Sequence, residues 1–255
     1  MFTAERLKYV EEYYFSKKMR EVNSYISSGR PIINMAIGSP DLSPSLEVKQ
    51  ALSESIDHQR SSMYQSYIGL PELREAISNF YNKQYGVEIK PHNEILPLMG
   101  SKEGIMHISM AFLNKMDGVL IPNPGYPTYG AVSKLLGAEI FYYSLSEENN
   151  WYPKMDDLNT LNTKNIKLMW INYPHMPTGA DFCEKKLNEL ISWAHKNDII
   201  LINDNPYSFI LNKKPRSILA LKNSKGVAIE LNSLSKSFNM AGWRVGMMVG
   251  ESKFI

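Results

Sequence analysis

Ser233-Leu-Ser-Lys236-Ser-Phe-Asn-Met-Ala-Gly-Trp-Arg244-Val-Gly246 sets one lysine among hydroxyl side chains, with an arginine eight residues later. A lysine amine condenses with carbonyl compounds to a Schiff base, and hydroxyls beside a guanidinium make a phosphate site. A ligand that is both an aldehyde and a phosphate ester would use both halves. A lone Ser-x-Lys usually means a solvated lysine. Here Ser233, Ser235 and Arg244 accompany Lys236 in a run otherwise small and apolar. Strand-like segments at 227–231 and 244–249 flank the run, so it reads as a loop beyond a strand's carboxyl end.

Outward from this loop the chain alternates. Strand-like segments fall at 94–99, 119–121, 139–144, 166–171 and 199–203, and helix-like ones at 101–113, 126–136 and 184–197. This βα alternation predicts an α/β fold, a mostly parallel seven-stranded sheet with helices on both faces in three αβα layers. Ligands in such sheets bind beyond the strands' carboxyl ends. Gly100-Ser101-Lys102, 123–126, 172–179, 204–207 and 233–236 all follow strands, so five strand ends are expected to converge on one site. Ahead of the alternation, 45–56 and 71–85 read as helices, the second with Pro71 in its first turn and Gly86 just past its end. Residues 1–30 read as an amphipathic helix or two, with Leu7, Val10, Tyr14, Met19 and Val22 as apolar positions. A short apolar run at 32–37 is stopped by Gly38-Ser-Pro-Asp41.

Composition narrows the partners. The 255 residues carry a net charge of only +2, which argues against nucleic acid or an anionic membrane as partner. No apolar run reaches transmembrane length, and the N-terminus lacks a signal peptide's apolar core. Cys183 is the single cysteine, which excludes an intrachain disulfide and points to a reducing compartment, so a cytoplasmic location is expected. The five histidines are scattered without metal-ligand spacing, and no metal is expected.

The loops supply the rest of a chemistry. Gly100-Ser101-Lys102 opens a helix, whose free N–H groups favour an anion, although an ordinary strand-to-helix turn looks the same. Asp204 ends an apolar strand and can pair with a protonated ring nitrogen; a turn cap is equally consistent. Tyr207 can hydrogen-bond a phenolic oxygen, and Tyr126 can stack on a flat ring.

Together, and in this order, these motifs resemble the class I/II (fold type I) aminotransferases that depend on pyridoxal 5'-phosphate. The likeness runs from Gly38 to Gly250, and the stretch at 95–104 looks like the branch with LL-diaminopimelate, aspartate and alanine aminotransferases. It implies that Lys236 holds the cofactor through a Schiff base and moves protons at the substrate α-carbon. Asp204 would pair with the pyridine nitrogen and Tyr207 with the ring oxygen, while Tyr126 stacks on the ring. Ser101, Lys102 (through its backbone), Ser233, Ser235 and Arg244 would bind the phosphate. Asn172 and Met176 belong to the loop beside the ring. Gly38 would lie against the substrate carboxylate. Tyr64 matches a tyrosine that reaches the phosphate of a neighbouring subunit, which implies a homodimer with shared sites, and Arg74 is expected to be structural. The substrates implied are an amino acid and a 2-oxo acid. By the same likeness, residues 1–40 form an N-terminal arm and part of a small domain, and 41–255 the cofactor-binding large domain.

Two departures stand out. The family's Asn-Pro-x-Asn-Pro-Thr-Gly appears here as Asn172-Tyr-Pro-His175-Met176-Pro-Thr-Gly179. Met176 replaces an asparagine that bonds the ring oxygen. A thioether cannot donate, and losing one charge-assisted hydrogen bond costs about 1.5–3 kcal/mol. Also, the sequence stops at Ile255, where the resemblance implies a further small domain carrying the arginine for the substrate α-carboxylate. Three alternatives to an active aminotransferase stay open at this point: a truncated paralogue or fragment without turnover, a β-lyase on the same fold, and a ligand-sensing domain.

Overall fold

The computed structural model describes residues 2–35, 37–58 and 61–255. Ala36, inside the apolar run at 32–37, lies outside the described residues, as do Met1, Gln59 and Arg60.

Strands whose two faces are both covered read as continuous apolar runs. β4 (Ile166–Ile171) is Ile-Lys-Leu-Met-Trp-Ile, β5 (Ile200–Asp204) Ile-Leu-Ile-Asn-Asp and β6 (Ala228–Ser233) Ala-Ile-Glu-Leu-Asn-Ser. With β1 (Ile95–Leu98), β2 (Gly118–Asn123), β3 (Glu139–Ser144) and β7 (Gly246–Gly250) they form one sheet in the order β1-β7-β6-β5-β4-β2-β3. Neighbours pair in parallel except β7, which runs against both β1 and β6. Its direction follows from the link before it. Segment 234–245 is spent on a short helix at Leu234–Ser237 and a 3-10 turn at Ala241–Trp243, without a helix long enough for a parallel crossover. The chain therefore re-enters the sheet at the rim it left, and Arg244 arrives beside the ends of β1 and β6.

Helices cover both faces. Naming them in chain order, α1 is Tyr14–Ser27, α2 Leu46–Ile56, α3 Pro71–Tyr85, α4 Ser101–Phe112, α5 Pro127–Leu136, α6 Met155–Asn159, α7 Glu184–Asn197 and α8 Leu234–Ser237. On one face Ile105 and Ile108 of α4 and Tyr129 and Val132 of α5 pack on Val119, Leu168, Trp170, Ile202, Ile229 and Leu231. On the other, α7 packs on Met169, Ile171 and Leu201, and α3 on Ile95, Met247 and Val249. Three αβα layers result, as the alternation predicted, and most element ends fall within a residue or two of the expected ones. The N-terminal segment departs from a core-forming role. Leu7, Val10 and Tyr14 are exposed, and α1 holds no buried residue among those described, with Met19 and Val22 only half-buried. The apolar stripe of this segment is wide enough for a helix but finds no sheet to cover.

Close approach at the rim demands glycine. A Cβ on Gly246 would lie 2.5 Å from the Ser101 nitrogen and 2.7 Å from the Gly100 carbonyl carbon, both main-chain atoms. Gly246→Ala must push β7 away from the start of α4. We expect it to lower unfolding free energy by about 1–3 kcal/mol, read by urea denaturation, as overpacking does elsewhere.

Candidate active site

Strand register builds the anion end of the site. Leu98 of β1 pairs with Gly246, and Gly246 pairs with Ser233 of β6, so three strand ends stand in a row. Gly100, at φ +84°, turns the chain from β1 into α4, and Ser101 is the helix's first residue. The Arg244 guanidinium lies over Gly100. Its Nη1 donates to the Ala241 carbonyl at 3.0 Å and its Nη2 to the Met99 carbonyl at 3.4 Å. A Cβ on Gly100 would fall 2.7 Å from its Cζ. Arg244 itself sits at φ +57°, a left-handed conformation that costs a non-glycine residue about 1–2 kcal/mol and turns its side chain toward α4. Ser233 caps α8: its Oγ accepts from the Ser235 N–H at 3.1 Å and donates to the Ser235 Oγ at 2.9 Å. The N–H groups at the start of α4, which has no side-chain cap, two buried serines and a guanidinium are of the kinds that can hold a phosphate. The Lys102 side chain turns instead to Tyr13, its Nζ 5.3 Å from the ring centre.

The other end is built around Asp204, the last residue of β5. Its carboxylate is buried. Oδ2 accepts from the Tyr129 hydroxyl at 3.0 Å, while Oδ1 has no hydrogen-bond partner among the described residues. Desolvation lifts its pKa to about 6 against the pull of the Tyr129 hydrogen bond. A buried acceptor left open is costly, and a cationic N–H is the partner that removes the cost. Tyr129 is held by stacking on Trp170, ring centres 4.9 Å apart and 8° from parallel. Tyr126, at the N-cap of α5, meets Tyr129 edge-on at 5.6 Å. Burial, then the charge of Asp204, pushes the Tyr207 phenol up to about 12, with smaller contributions from Tyr126 and Tyr13. Tyr13, whose ring lies under the Lys102 Nζ, is thus brought to the same rim.

Lys236 sits half-buried on α8, and desolvation lowers its amine's pKa. Its Nζ donates to the Gly38 carbonyl at 2.5 Å, which brings the N-terminal segment against the site. Asn172 uses both ends of its amide internally. Nδ2 donates to the Asp204 carbonyl and Oδ1 accepts from the Met176 N–H at 2.8 Å, fixing the 172–179 loop to the end of β5. His175 is buried, with Nδ1 2.8 Å from the Thr178 Oγ1; burial depresses its pKa to about 4, so it is neutral. The Met176 side chain is half-buried. Tyr64 stands fully exposed. Arg74, expected to be structural, is buried and donates to the Pro91 and His92 carbonyls at 2.9 and 3.1 Å.

Sequence reasoning missed Tyr129 and Tyr13. Tyr129 was findable: it lies three residues after Tyr126 on one helix, so the two share a face. Tyr13 had no local signal, because only folding brings it to strand ends that lie more than a hundred residues away.

Sheet order, covering layers and a lysine beyond β6 define the large-domain architecture of the fold type I enzymes. Residues 30–255 match the aminotransferase class I and II family, and the chain belongs to it. It is 37% identical to an LL-diaminopimelate aminotransferase of Aquifex aeolicus, over 99% of this chain and 66% of that one. A protein of the same name from Dehalococcoides mccartyi is 38% identical over 100% of this chain and 66% of its own length. The solved apo structure of BacF from Bacillus subtilis superimposes with a TM-score of 0.94 at 34% identity, covering all of this chain and 65% of that one. The chain thus spans about two thirds of the length of such relatives.

The raised pKa of Asp204 has a sign that can be checked. Its native carboxyl holds a proton more tightly than the unfolded one, at about 6 against 3.8. Its contribution is therefore most favourable below pH 3.8 and is lost as pH rises through 6. The cofactor-free chain should lose about 3 kcal/mol of stability across this window from this group alone. Urea unfolding from pH 4 to 7 should show a shallower slope in Asp204→Asn, by that difference.

Proposed function

We propose that this chain is the cofactor-binding part of an aminotransferase that uses pyridoxal 5'-phosphate to move an amino group from an L-amino acid to a 2-oxo acid. The observation that carries this reading is the open Oδ1 of Asp204, a buried carboxylate oxygen awaiting a protonated ring nitrogen. When bound, the cofactor supplies an aldehyde that condenses with amines and a ring that accepts electrons from the substrate α-carbon. The residues present fit it: an acid for the ring nitrogen at one end, a phosphate cradle at the other and a lysine on the same rim.

Asp204 keeps the ring nitrogen protonated by opposite charge, and Tyr129 keeps Asp204 oriented by holding Oδ2. Tyr207, a phenol that stays protonated below about pH 12, donates to the ring oxygen. Tyr126 covers one face of the ring. Ser101, the Lys102 backbone, Ser233, Ser235 and Arg244 hold the phosphate. Lys236 would attach the cofactor's aldehyde and would carry protons at the substrate α-carbon; its lowered pKa makes the free amine, the form that accepts a proton, more accessible near neutrality. Its hydrogen bond to the Gly38 carbonyl supports a reading in which that backbone would lie against a substrate carboxylate. Asn172 and Met176 form the wall beside the ring, Asn172 through the loop it anchors. Exposed Tyr64 would reach a second subunit's phosphate in a homodimer. Residues 1–40 would form the arm and part of a small domain, and 41–255 the large domain. Among the described residues no helix is long and apolar enough to cross a membrane and no His, Cys, Asp and Glu side chains cluster as metal ligands; a cytoplasmic protein is our reading. The relatives' name makes LL-diaminopimelate the first donor to try, then aspartate and alanine.

Adding pyridoxal 5'-phosphate should give a visible absorption band that Lys236→Ala abolishes; no lysine-dependent band would overturn the proposal. Amino donors should then convert the band to that of pyridoxamine phosphate. Because Met176 cannot donate to the ring oxygen, Met176→Asn should lower the pH midpoint of the band by about one unit, the equivalent of one such hydrogen bond. An unmoved midpoint would defeat that role for position 176.

A further inference from the structure

Strand alternation sends Asp204 and Ser233 to the α4/α5 face, and it sends their neighbours Asn203 and Asn232 to the other. There they meet a buried polar cluster that no step above uses. Glu230 of β6, opposite Asn203 in register, is its only carboxylate and is fully buried. Its Oε1 accepts from the Tyr81 hydroxyl of α3 at 3.0 Å. Its Oε2 accepts from the Ile218 N–H at 3.0 Å and from Asn203 Nδ2 at 3.3 Å. Asn232 Nδ2 donates to the Tyr85 hydroxyl at 3.1 Å and, more weakly, to that of Tyr81 at 3.5 Å. Tyr85 also bonds the Ser208 Oγ at 2.7 Å.

Each branch ends next to a residue of the site. Asn203 precedes Asp204, and its Oδ1 accepts the Tyr173 N–H at 3.0 Å, at the start of the 172–179 loop. Asn232 precedes Ser233 and accepts its N–H at 2.8 Å. Ser208 follows Tyr207. We propose that Glu230 is a positioning residue: through Tyr81, Asn232 and Asn203 it fixes the strand ends that carry Asp204 and Ser233, from the face of the sheet opposite the cofactor. This rests on the proposed cofactor site only for its consequence, not for its geometry.

The direction of the hydrogen bonds makes the idea testable. Protons run from Asn232 to Tyr81 to Glu230. Glu230→Gln introduces a donor, and it is tolerated best at Oε1, because the Ile218 N–H at Oε2 can only donate whereas the Tyr81 hydroxyl at Oε1 can also accept; the Ser217 side chain bonds the carboxylate as well. Tyr81 must then accept, and its own proton has no acceptor unless Asn232 flips and releases the Ser233 N–H. Changing Asn232→Asp as well supplies that acceptor, keeps the net charge, and lets the chain of bonds from residue 230 through Tyr81 to residue 232 run in reverse.

The experiment is hydrogen–deuterium exchange of the whole chain at about pH 8.5, where Glu230, its pKa raised by burial to about 7, is ionised and only accepts, with the dissociation constant for pyridoxal 5'-phosphate measured in parallel. Glu230→Gln should speed exchange in segment 232–236 at least fivefold, leave α4 and α5 unchanged, and weaken cofactor binding at least fivefold. The double variant should return both to within twofold of the unmodified chain. Unchanged exchange in 232–236, or a double variant no better than the single one, would overturn the proposal; so would altered exchange with unaltered cofactor affinity in a chain that binds it. If the unmodified chain binds no cofactor, the proposed function falls while exchange still decides the role of Glu230. Should Glu230→Gln fail to fold, Tyr81→Phe carries the same decision, since it removes the donor to Glu230 Oε1 and the acceptor of Asn232: faster exchange confined to 232–236 supports the network, and none there overturns it.

Discussion

Two-residue alternation at the carboxyl ends of β5 and β6 is the constraint on which the site depends. Along β5 and β6 the side chains are apolar until the last few residues, and there polar groups appear on both faces at once. Asp204 and Ser233 go to the face of α4 and α5, while Asn203, Glu230 and Asn232 go to that of α3. A one-residue slip of β5 would turn Asp204 to the α3 side, away from Tyr129, and one of β6 would do the same to Ser233. Continuous hydrophobic packing below the rim opposes that slip, since Ile202, Ile229 and Leu231 would leave the core they fill.

The sheet consequently carries two buried carboxyls on adjacent strands and opposite faces, and it treats them differently. Burial raises both pKa values, that of Asp204 to about 6 and that of Glu230 to about 7. Glu230 has donors on both oxygens and is satisfied within the chain. Asp204 keeps one oxygen open. Low dielectric strengthens bonds in a completed network and makes an incomplete one costly. The same burial therefore yields a supporting scaffold on one face and a binding demand on the other. The antiparallel return of β7 completes the picture. It brings the Arg244 guanidinium over Gly100, where the glycines leave room for it and for the close passage of β7 past α4.

Much of the architecture was legible because its signals are local. Apolar runs gave the strands, and Pro71, Gly86 and the helix-period segments gave the helices almost to the residue. Lys236, Asp204 and Arg244 were legible as chemistry because each follows or precedes a strand within a few residues. Tyr81 and Tyr85 carried no such signal: only the fold shows that their hydroxyls meet Glu230, Asn232 and Ser208 more than a hundred residues later. The N-terminal segment formed the helices its pattern indicated, at Glu5–Tyr9 and Tyr14–Ser27. Its amphipathic pattern specified helices, but periodicity cannot say what, if anything, covers the apolar stripe.

The sequence by itself determined the α/β alternation, the strand ends and the residue types available at each, because hydrophobic period and turn chemistry act over a few neighbouring residues. Tertiary structure alone decided that β7 returns antiparallel, that Tyr129 holds one oxygen of Asp204 and leaves the other open, and that Glu230 ties α3 to the rim. Those outcomes depend on which groups lose water together, and desolvation is a property of packed neighbours rather than of the chain's order.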